Sequence, residues 1–157
     1  MTSFVNDTTE KQIERGELFF AEAYSTSMAS GASYSWGIET NSYPCKVGME
    51  IIFPETCTLW IYEGVTTAFG ADTIYNLNRN SAKTLDADWD KSMSTTAVGG
   101  TTIFEVISPH GEVPMNTPFH RETGIILDDG TRYQFKIRND GGSPADFTIY
   151  TLLRDLT

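Results

Sequence analysis

The sequence predicts an all-β domain, either a sandwich or a barrel. Its 157 residues are 39% apolar and 12% aromatic, with the many Thr, Tyr, Phe and Ile residues that favour strands. Apolar and polar residues alternate over about eight short runs, with turn signals roughly every 8 to 12 residues. The length fits one domain, which we place at residues 16–157 behind a polar arm of residues 1–15.

The first two strands are predicted in the N-terminal third. Residues 1–15 show only a hint of helical spacing at Ile13, so we expect an arm that is mobile until a partner orders it. From Gly16 to Met28 the alternation favours a strand, although the Glu-Leu-Phe-Phe-Ala-Glu-Ala core leaves a helix open. After a small, polar loop, Tyr34 to Glu39 is the second short strand.

The middle of the chain contains the clearest predicted hairpin. Odd-numbered apolar residues from Cys45 to Phe53 predict a strand buried on one face. Pro54 and Glu55 interrupt this run, and Thr58 to Tyr62 alternates again, so the two runs are predicted to pair. A further short strand is predicted from Thr73 to Leu77.

The two cysteines are predicted to be reduced and buried. Both lie in apolar runs, and two cysteines are too few for a disulfide framework. In the predicted hairpin Cys45 would lie opposite Glu63 and not opposite Cys57. We therefore expect two free thiols packed as small apolar groups.

The C-terminal half alternates more regularly after an irregular start. Ala82 to Gly100 is acidic and then rich in Ser and Thr, so we predict an exposed excursion with weak strand content. The remaining predicted elements are a strand from Thr101 to Ile107, a Pro-rich loop from Ser108 to Arg121, a tight turn from Asp128 to Thr131, and strands from Arg132 to Arg138 and from Phe147 to Leu153.

Charge excludes two classes of partner. The formal net charge is -10 and the isoelectric point is near 4.5. Nucleic-acid affinity depends on Lys and Arg that displace counterions, and anionic membranes attract the same residues. We therefore expect no nucleic-acid and no membrane partner. The N-terminus has neither the basic region nor the apolar core of a signal peptide, which predicts synthesis in a cytoplasm.

Two sets of residues suggest metal ligands. Asp86, Asp88 and Asp90 have the first spacings of a calcium loop, but the later glycine and glutamate are missing, so a solvated acidic loop is favoured over a surface calcium site. His110 and His120 lie in the Pro-rich loop without a spacing that specifies zinc. No metal or other cofactor is predicted.

The sequence does not contain a recognisable catalytic motif. It has no Gly-x-Ser-x-Gly elbow and no phosphate-binding glycine loop. Because any two of its 21 acidic residues might converge, a small hydrolase stays open as a third hypothesis. We predict that the protein is not an enzyme.

Aromatic residues suggest a binding platform or a core. Trp36, Trp60, Trp89 and the seven tyrosines are numerous enough to line a sugar-binding groove. Such residues more often form cores or interfaces.

One polar cluster follows the strand that ends at Gly64. Asn76, Asn78, Arg79 and Asn80 offer many hydrogen-bond donors and acceptors but no nucleophile or base. We predict a buried structural hydrogen-bond network that fixes a loop.

Four segments resemble small structural proteins of tailed bacteriophages. They are a strand ending in Glu-Gly (59–64), the Asn-Leu-Asn-Arg-Asn-Ser segment (76–81), Gly-Gly-Thr (99–101) and the strand Tyr-Gln-Phe-Lys-Ile-Arg-Asn (133–139). In that group similar segments recur in this order. The resemblance covers roughly Cys45 to Leu153.

The resemblance implies a capsid auxiliary protein of the decoration or cement type. It implies a β-sandwich, often of jelly-roll type, on the outside of a virion, with the major capsid protein as partner and further copies on the lattice. An alternative is a carbohydrate-binding module of a phage tail or fibre. The residues predicted to contact the capsid are Phe4, Ile13, Arg121, Arg132 and Arg138.

Overall fold

Ten strands account for about half of the residues that the structure describes. The computed structural model describes residues 9–121 and 123–157. In these residues it contains a short helix over 9–14 and a 3-10 turn, Pro109–Gly111, between β7 and β8. The strands are β1 (Phe19–Met28), β2 (Ser33–Glu39), β3 (Cys45–Ile52), β4 (Cys57–Val65), β5 (Tyr75–Asn76), β6 (Asp88–Met93), β7 (Gly99–Ser108), β8 (Ile125–Leu127), β9 (Arg132–Asn139) and β10 (Ala145–Asp155).

The strands form two antiparallel sheets of five strands each. The first sheet has the order β5-β1-β10-β3-β8, and the second has the order β6-β2-β9-β4-β7. When β5 and β6 are set aside, the sets β1-β10-β3-β8 and β2-β9-β4-β7 have the strand order of a jelly roll. The predicted antiparallel β-sandwich of jelly-roll type is confirmed.

Aromatic side chains fill the space between the sheets. Trp36 on β2 stacks on Phe135 of the neighbouring β9, with ring centroids 5.8 Å apart, and contacts Phe147 of β10 in the opposite sheet at 5.4 Å. Phe119 meets Phe135 edge to face at 6.4 Å. All four side chains are fully buried. Strand alternation directs the strand-borne rings inward, where they bury a large apolar area.

The predicted hairpin between Cys45–Phe53 and Thr58–Tyr62 is wrong. β3 pairs with β10 and β8 in the first sheet, whereas β4 pairs with β7 and β9 in the second. The chain crosses from one sheet to the other near Pro54. A crossing strand buries alternate residues just as a hairpin strand does, so alternation alone does not distinguish the two connections.

The segment from Ala82 to Gly100 is more ordered than predicted. It contains β6, in which Trp89 is 1% exposed and Asp90 is 5% exposed. The Asp90 carboxylate accepts hydrogen bonds from the backbone N–H groups of Gly70 and Ser92 at 2.8 and 2.9 Å. Backbone donors of this kind satisfy a buried carboxylate on an edge strand.

Three other predicted elements differ in extent. The strand predicted from Gly16 begins at Phe19, so the helical alternative is wrong there, and the strand predicted at Thr73–Leu77 is only Tyr75–Asn76. The Pro-rich loop is a loop, yet it delivers Phe119 into the core.

The predicted arm is helical over residues 9–14. Its end is closed by a hydrogen bond from Gly16 N to the Ile13 carbonyl at 2.9 Å, and the Asn78 side chain donates to the Glu14 carbonyl at 2.8 Å. Ile13 is half-buried. These contacts hold the end of the helix against the rest of the chain, whereas the sequence predicted an arm that only a partner would order. Phe4 lies outside the described residues.

Within 9–121 and 123–157, no helix has the length and apolar character needed to cross a bilayer.

Two adjacent leucines on β10 test the assignment of the two faces. Leu153 is fully buried and Leu152 is 39% exposed. Leu153→Ala is expected to lower the free energy of unfolding by about 2–5 kcal/mol because it leaves a cavity. Urea denaturation would measure this change.

Leu152→Ala is the matched control, since the same atoms are removed from the outer face. It should cost less than half as much. Equal losses for the two variants would contradict the assigned register.

Candidate functional site

The asparagines predicted as a network are joined by short hydrogen bonds. Asn76 Nδ2 donates to the carbonyls of Gly16 (3.0 Å) and Lys83 (3.1 Å), and its Oδ1 accepts from Asn78 N at 2.8 Å. Asn78 Oδ1 accepts in turn from Asn80 N at 3.0 Å. These are successive Asx turns, in which each side chain mimics a backbone turn. The network ties the N-terminal helix to the segment before β6.

Arg79 is not part of this network. Its side chain is exposed and makes no hydrogen bond or ion pair with the residues that the structure describes. The two flanking asparagines bond through their own side chains and backbones, which leaves the arginine directed to solvent. The prediction that it belongs to a buried network is therefore wrong.

The three arginines predicted as capsid contacts lie in different places. Arg121 is exposed, with Nη1 3.7 Å from Glu50 Oε2 on the outer face of the first sheet. Arg132 is half-buried, pairs with Glu39, donates to the Thr67 carbonyl at 2.7 Å and covers the Phe69 ring at 5.4 Å. These contacts already occupy its guanidinium.

Arg138 lies on the outer face of the second sheet. Its Nε is 2.6 Å from Asp140 Oδ1, and its guanidinium lies 5.1 Å from the centre of the Trp60 ring. Lys136 Nζ lies 5.3 Å from the same ring. The half-buried Trp60 is therefore covered by two cations, an arrangement that its π-system stabilises.

The three aspartates with calcium-loop spacing accept hydrogen bonds from other parts of the chain. Asp86 Oδ2 accepts from Ser42 N at 2.7 Å, Asp88 Oδ2 accepts from Asn41 Nδ2 at 3.3 Å, and Asp90 bonds as described above. Across the described part of the chain, no three His, Cys, Asp or Glu side chains are grouped so that they could hold a metal ion, and the two loop histidines belong to no such group.

Cys45 and Cys57 are both free and buried. Burial raises the pKa of each thiol to about 12. Because the thiolate is the nucleophile, neither cysteine is reactive at neutral pH.

A groove opens at one side of the sandwich, where β1 and β5 of the first sheet approach β2 and β6 of the second. It has a volume of about 410 Å³. We name it the edge groove, after its position beside the edge strands. It is lined principally by Glu22, Tyr24, Tyr34, Asp72, Tyr75 and Trp89.

Backbone contacts hold the edge groove in shape. Asp72 N donates to the Trp89 carbonyl at 2.6 Å, and Lys91 N donates to Asp72 Oδ2 at 2.9 Å. Tyr34 donates its phenolic hydrogen to the Lys91 carbonyl, and burial raises the pKa of this phenol. The polar floor of the groove is therefore fixed before any ligand arrives.

Of the three tryptophans suggested for a sugar platform, the structure excludes Trp36 and Trp89 as exposed rings. Trp36 is fully buried and Trp89 is 1% exposed. The exposed rings at the groove are Tyr24 and Tyr75. Glu22 and Tyr24 share a parity along β1 that was visible in the sequence. Their proximity to Asp72 depends on how the sheets pack, which no local pattern encodes.

A second depression, of about 770 Å³, lies beside Tyr43, Lys83 and Asp155. Asp155 Oδ2 accepts from Asp86 N at 2.8 Å, and burial raises the pKa of this carboxyl. Its bonded oxygen fixes the segment before β6. The acid therefore has a structural role here.

One sheet edge differs from the others. β7, here called the long edge, spans ten residues, whereas the edge strands β5 and β8 span two and three. β6 is six residues long and carries a further bridge between Asp72 and Trp89. Along the long edge Ile103 is 41% exposed and Ile107 is 64% exposed.

Comparisons with known proteins give no family. No family model matches the chain, and no curated protein matches it. A solved structure of hydroquinone 1,2-dioxygenase from Sphingomonas sp. TTNP3 with 4-hydroxybenzoate bound is similar at 9% identity and a TM-score of 0.31. The match covers 90% of this chain and 60% of that chain. Similarity at this level carries no argument about function.

The asparagine network makes a prediction about stability. Asn76→Ala removes two donors and one acceptor at once, so it is expected to lower the free energy of unfolding by about 1–3 kcal/mol. Urea denaturation would measure the loss.

Asn80→Ala is the matched control, because the Asn80 side chain makes no hydrogen bond within the described residues. It should change stability by less than about 0.5 kcal/mol, as should Arg79→Ala. A large loss for Arg79→Ala with none for Asn76→Ala would reverse these roles.

Proposed function

We propose that the chain is a non-enzymatic structural protein of a tailed bacteriophage, which binds the outside of the capsid and reinforces contacts between coat subunits. Its partner is the major capsid protein, and further copies occupy the same lattice. The virion assignment rests on the four resembling segments. The observation that carries the docking is the long edge.

An unpaired strand of this length is a ready site for another strand. Among the described residues, no strand pairs with its outward backbone N–H and C=O groups. Proteins usually shorten or cover such edges. Here β5 and β8 are short, while β7 extends over ten residues with two exposed isoleucines. Addition of a coat-subunit strand would satisfy the backbone groups and bury the isoleucines.

The adjoining face carries two cations, although the protein as a whole is acidic. Arg138 lies opposite Thr58 on β4, and Thr58 lies opposite Ile107 on β7. Arg138 is therefore about 10 Å from the long edge, two strand spacings away. Asp140 already pairs with Arg138. Lys136 makes no ion pair within the described residues, so it is the cation that favours an acidic side chain on a partner strand.

The net charge of -10 supports a place outside the shell. Packaged DNA would repel so acidic a protein, whereas the outer surface imposes no such cost.

Copy number in purified virions tests the proposal. Quantitative mass spectrometry is expected to find the chain at a copy number comparable with that of the coat protein. A dozen copies or fewer would place it in the tail or neck, and absence from virions would refute the proposal.

A substitution on the long edge tests the docking surface. Ile107→Lys is expected to weaken binding to expanded capsids that lack the protein by tenfold or more, because the apolar contact is replaced by a charge beside existing cations. Co-sedimentation with such capsids would measure the change.

Ile126→Lys is the matched control, since Ile126 is 63% exposed on an edge strand of the other sheet. It should bind as the unmodified protein does. Loss of binding only in the Ile126 variant would move the interface to the first sheet.

A further inference from the structure

The edge groove has the features of a ligand site and lies away from the long edge. It is formed by β1, β2, β6 and the segment around Asp72, while β7 is at the opposite end of the second sheet. A ligand in the groove would therefore leave the proposed capsid contact free. Ligand binding in the groove does not depend on capsid binding.

Two exposed tyrosines flank the groove. Tyr24 is 67% exposed and Tyr75 is 47% exposed. Tyr75 pairs with Phe20 on β1, and Phe20 precedes Tyr24 by four residues, or about 13 Å along a strand. Aromatic rings with a polar hydroxyl suit ligands that are apolar on one face and wet on the other. The spacing exceeds one sugar ring and fits a short oligosaccharide.

The polar groups between the tyrosines offer both acceptors and donors. Glu22 is exposed and makes no ion pair within the described residues. Asp72 uses one carboxylate oxygen for Lys91 N, which leaves the other for a ligand. Lys91 also lines the groove. Sugar hydroxyls donate to carboxylates and accept from an ammonium, so this mixture matches them.

One buried residue that lines the groove has an unpaired donor. Trp89 lines the groove and is 1% exposed, and its indole Nε1 makes no hydrogen bond within the described structure. A buried N–H without an acceptor costs about 1–3 kcal/mol. A ligand hydroxyl that reached this depth would remove the cost.

Charge selects among ligand classes. The carboxylates of Glu22 and Asp72 disfavour phosphate and acidic sugars. The two exposed tyrosines resemble an aromatic cage for a quaternary ammonium, but the positive charge of Lys91 disfavours such a ligand. We propose that the edge groove binds a neutral oligosaccharide, with Tyr24 and Tyr75 stacking on its rings and the two carboxylates accepting its hydroxyl hydrogens.

The test applies the full chain to an array of neutral, acidic and choline-bearing glycans. Each glycan that binds is then titrated calorimetrically. Saturable binding to a neutral glycan is expected. Tyr24→Ala and Tyr75→Ala should each weaken it by about threefold to tenfold, as loss of one aromatic contact predicts.

Tyr43→Ala is the matched control, because Tyr43 is 44% exposed and lies outside the groove. It should leave affinity unchanged. Three results would overturn the inference: no binding to any neutral glycan, binding only to choline or acidic glycans, or affinity equal in the Tyr24, Tyr75 and Tyr43 variants.

Discussion

The contact that Trp36 makes with both sheets fixes the register in which the two sheets pack, and the rest of the structure depends on that register. It stacks on Phe135 within its own sheet and meets Phe147 of the facing sheet. A side chain of this size fits between the sheets in one register only, since a shift of one residue would turn every inward side chain outward. The position of the edge groove and the position of the two cations over Trp60 follow from that register.

Fold class was predictable where alternation is strict. β3, β9 and β10 each alternate buried and exposed residues over most of their length, and a period of two is enough to identify such strands. Their partners were not predictable, because the jelly roll joins strands through crossings that leave no local signature. β6 escaped prediction because donors that satisfy its carboxylates come from distant loops.

The candidate sites divide in the same way. The asparagine network could be anticipated, because Asn side chains two residues apart favour successive Asx turns. The exposure of Arg79 could not, since no periodicity operates outside strands. The edge groove could not be predicted from the sequence. Glu22 lies on β1 and Asp72 is bridged to Trp89 on β6, so the two residues line one groove only because β1 and β6 belong to facing sheets.

The pairing of the first strand with the last has a consequence for synthesis. Phe19 lies opposite Leu153, so β1 leaves the ribosome on the order of ten seconds before its main neighbour exists. Until then β1 and β3 have no strand between them, because β10 is that strand. Contacts so distant in sequence also slow folding. Synthesis of β10, and not the pairing of successive strands, therefore sets the moment at which this domain can close.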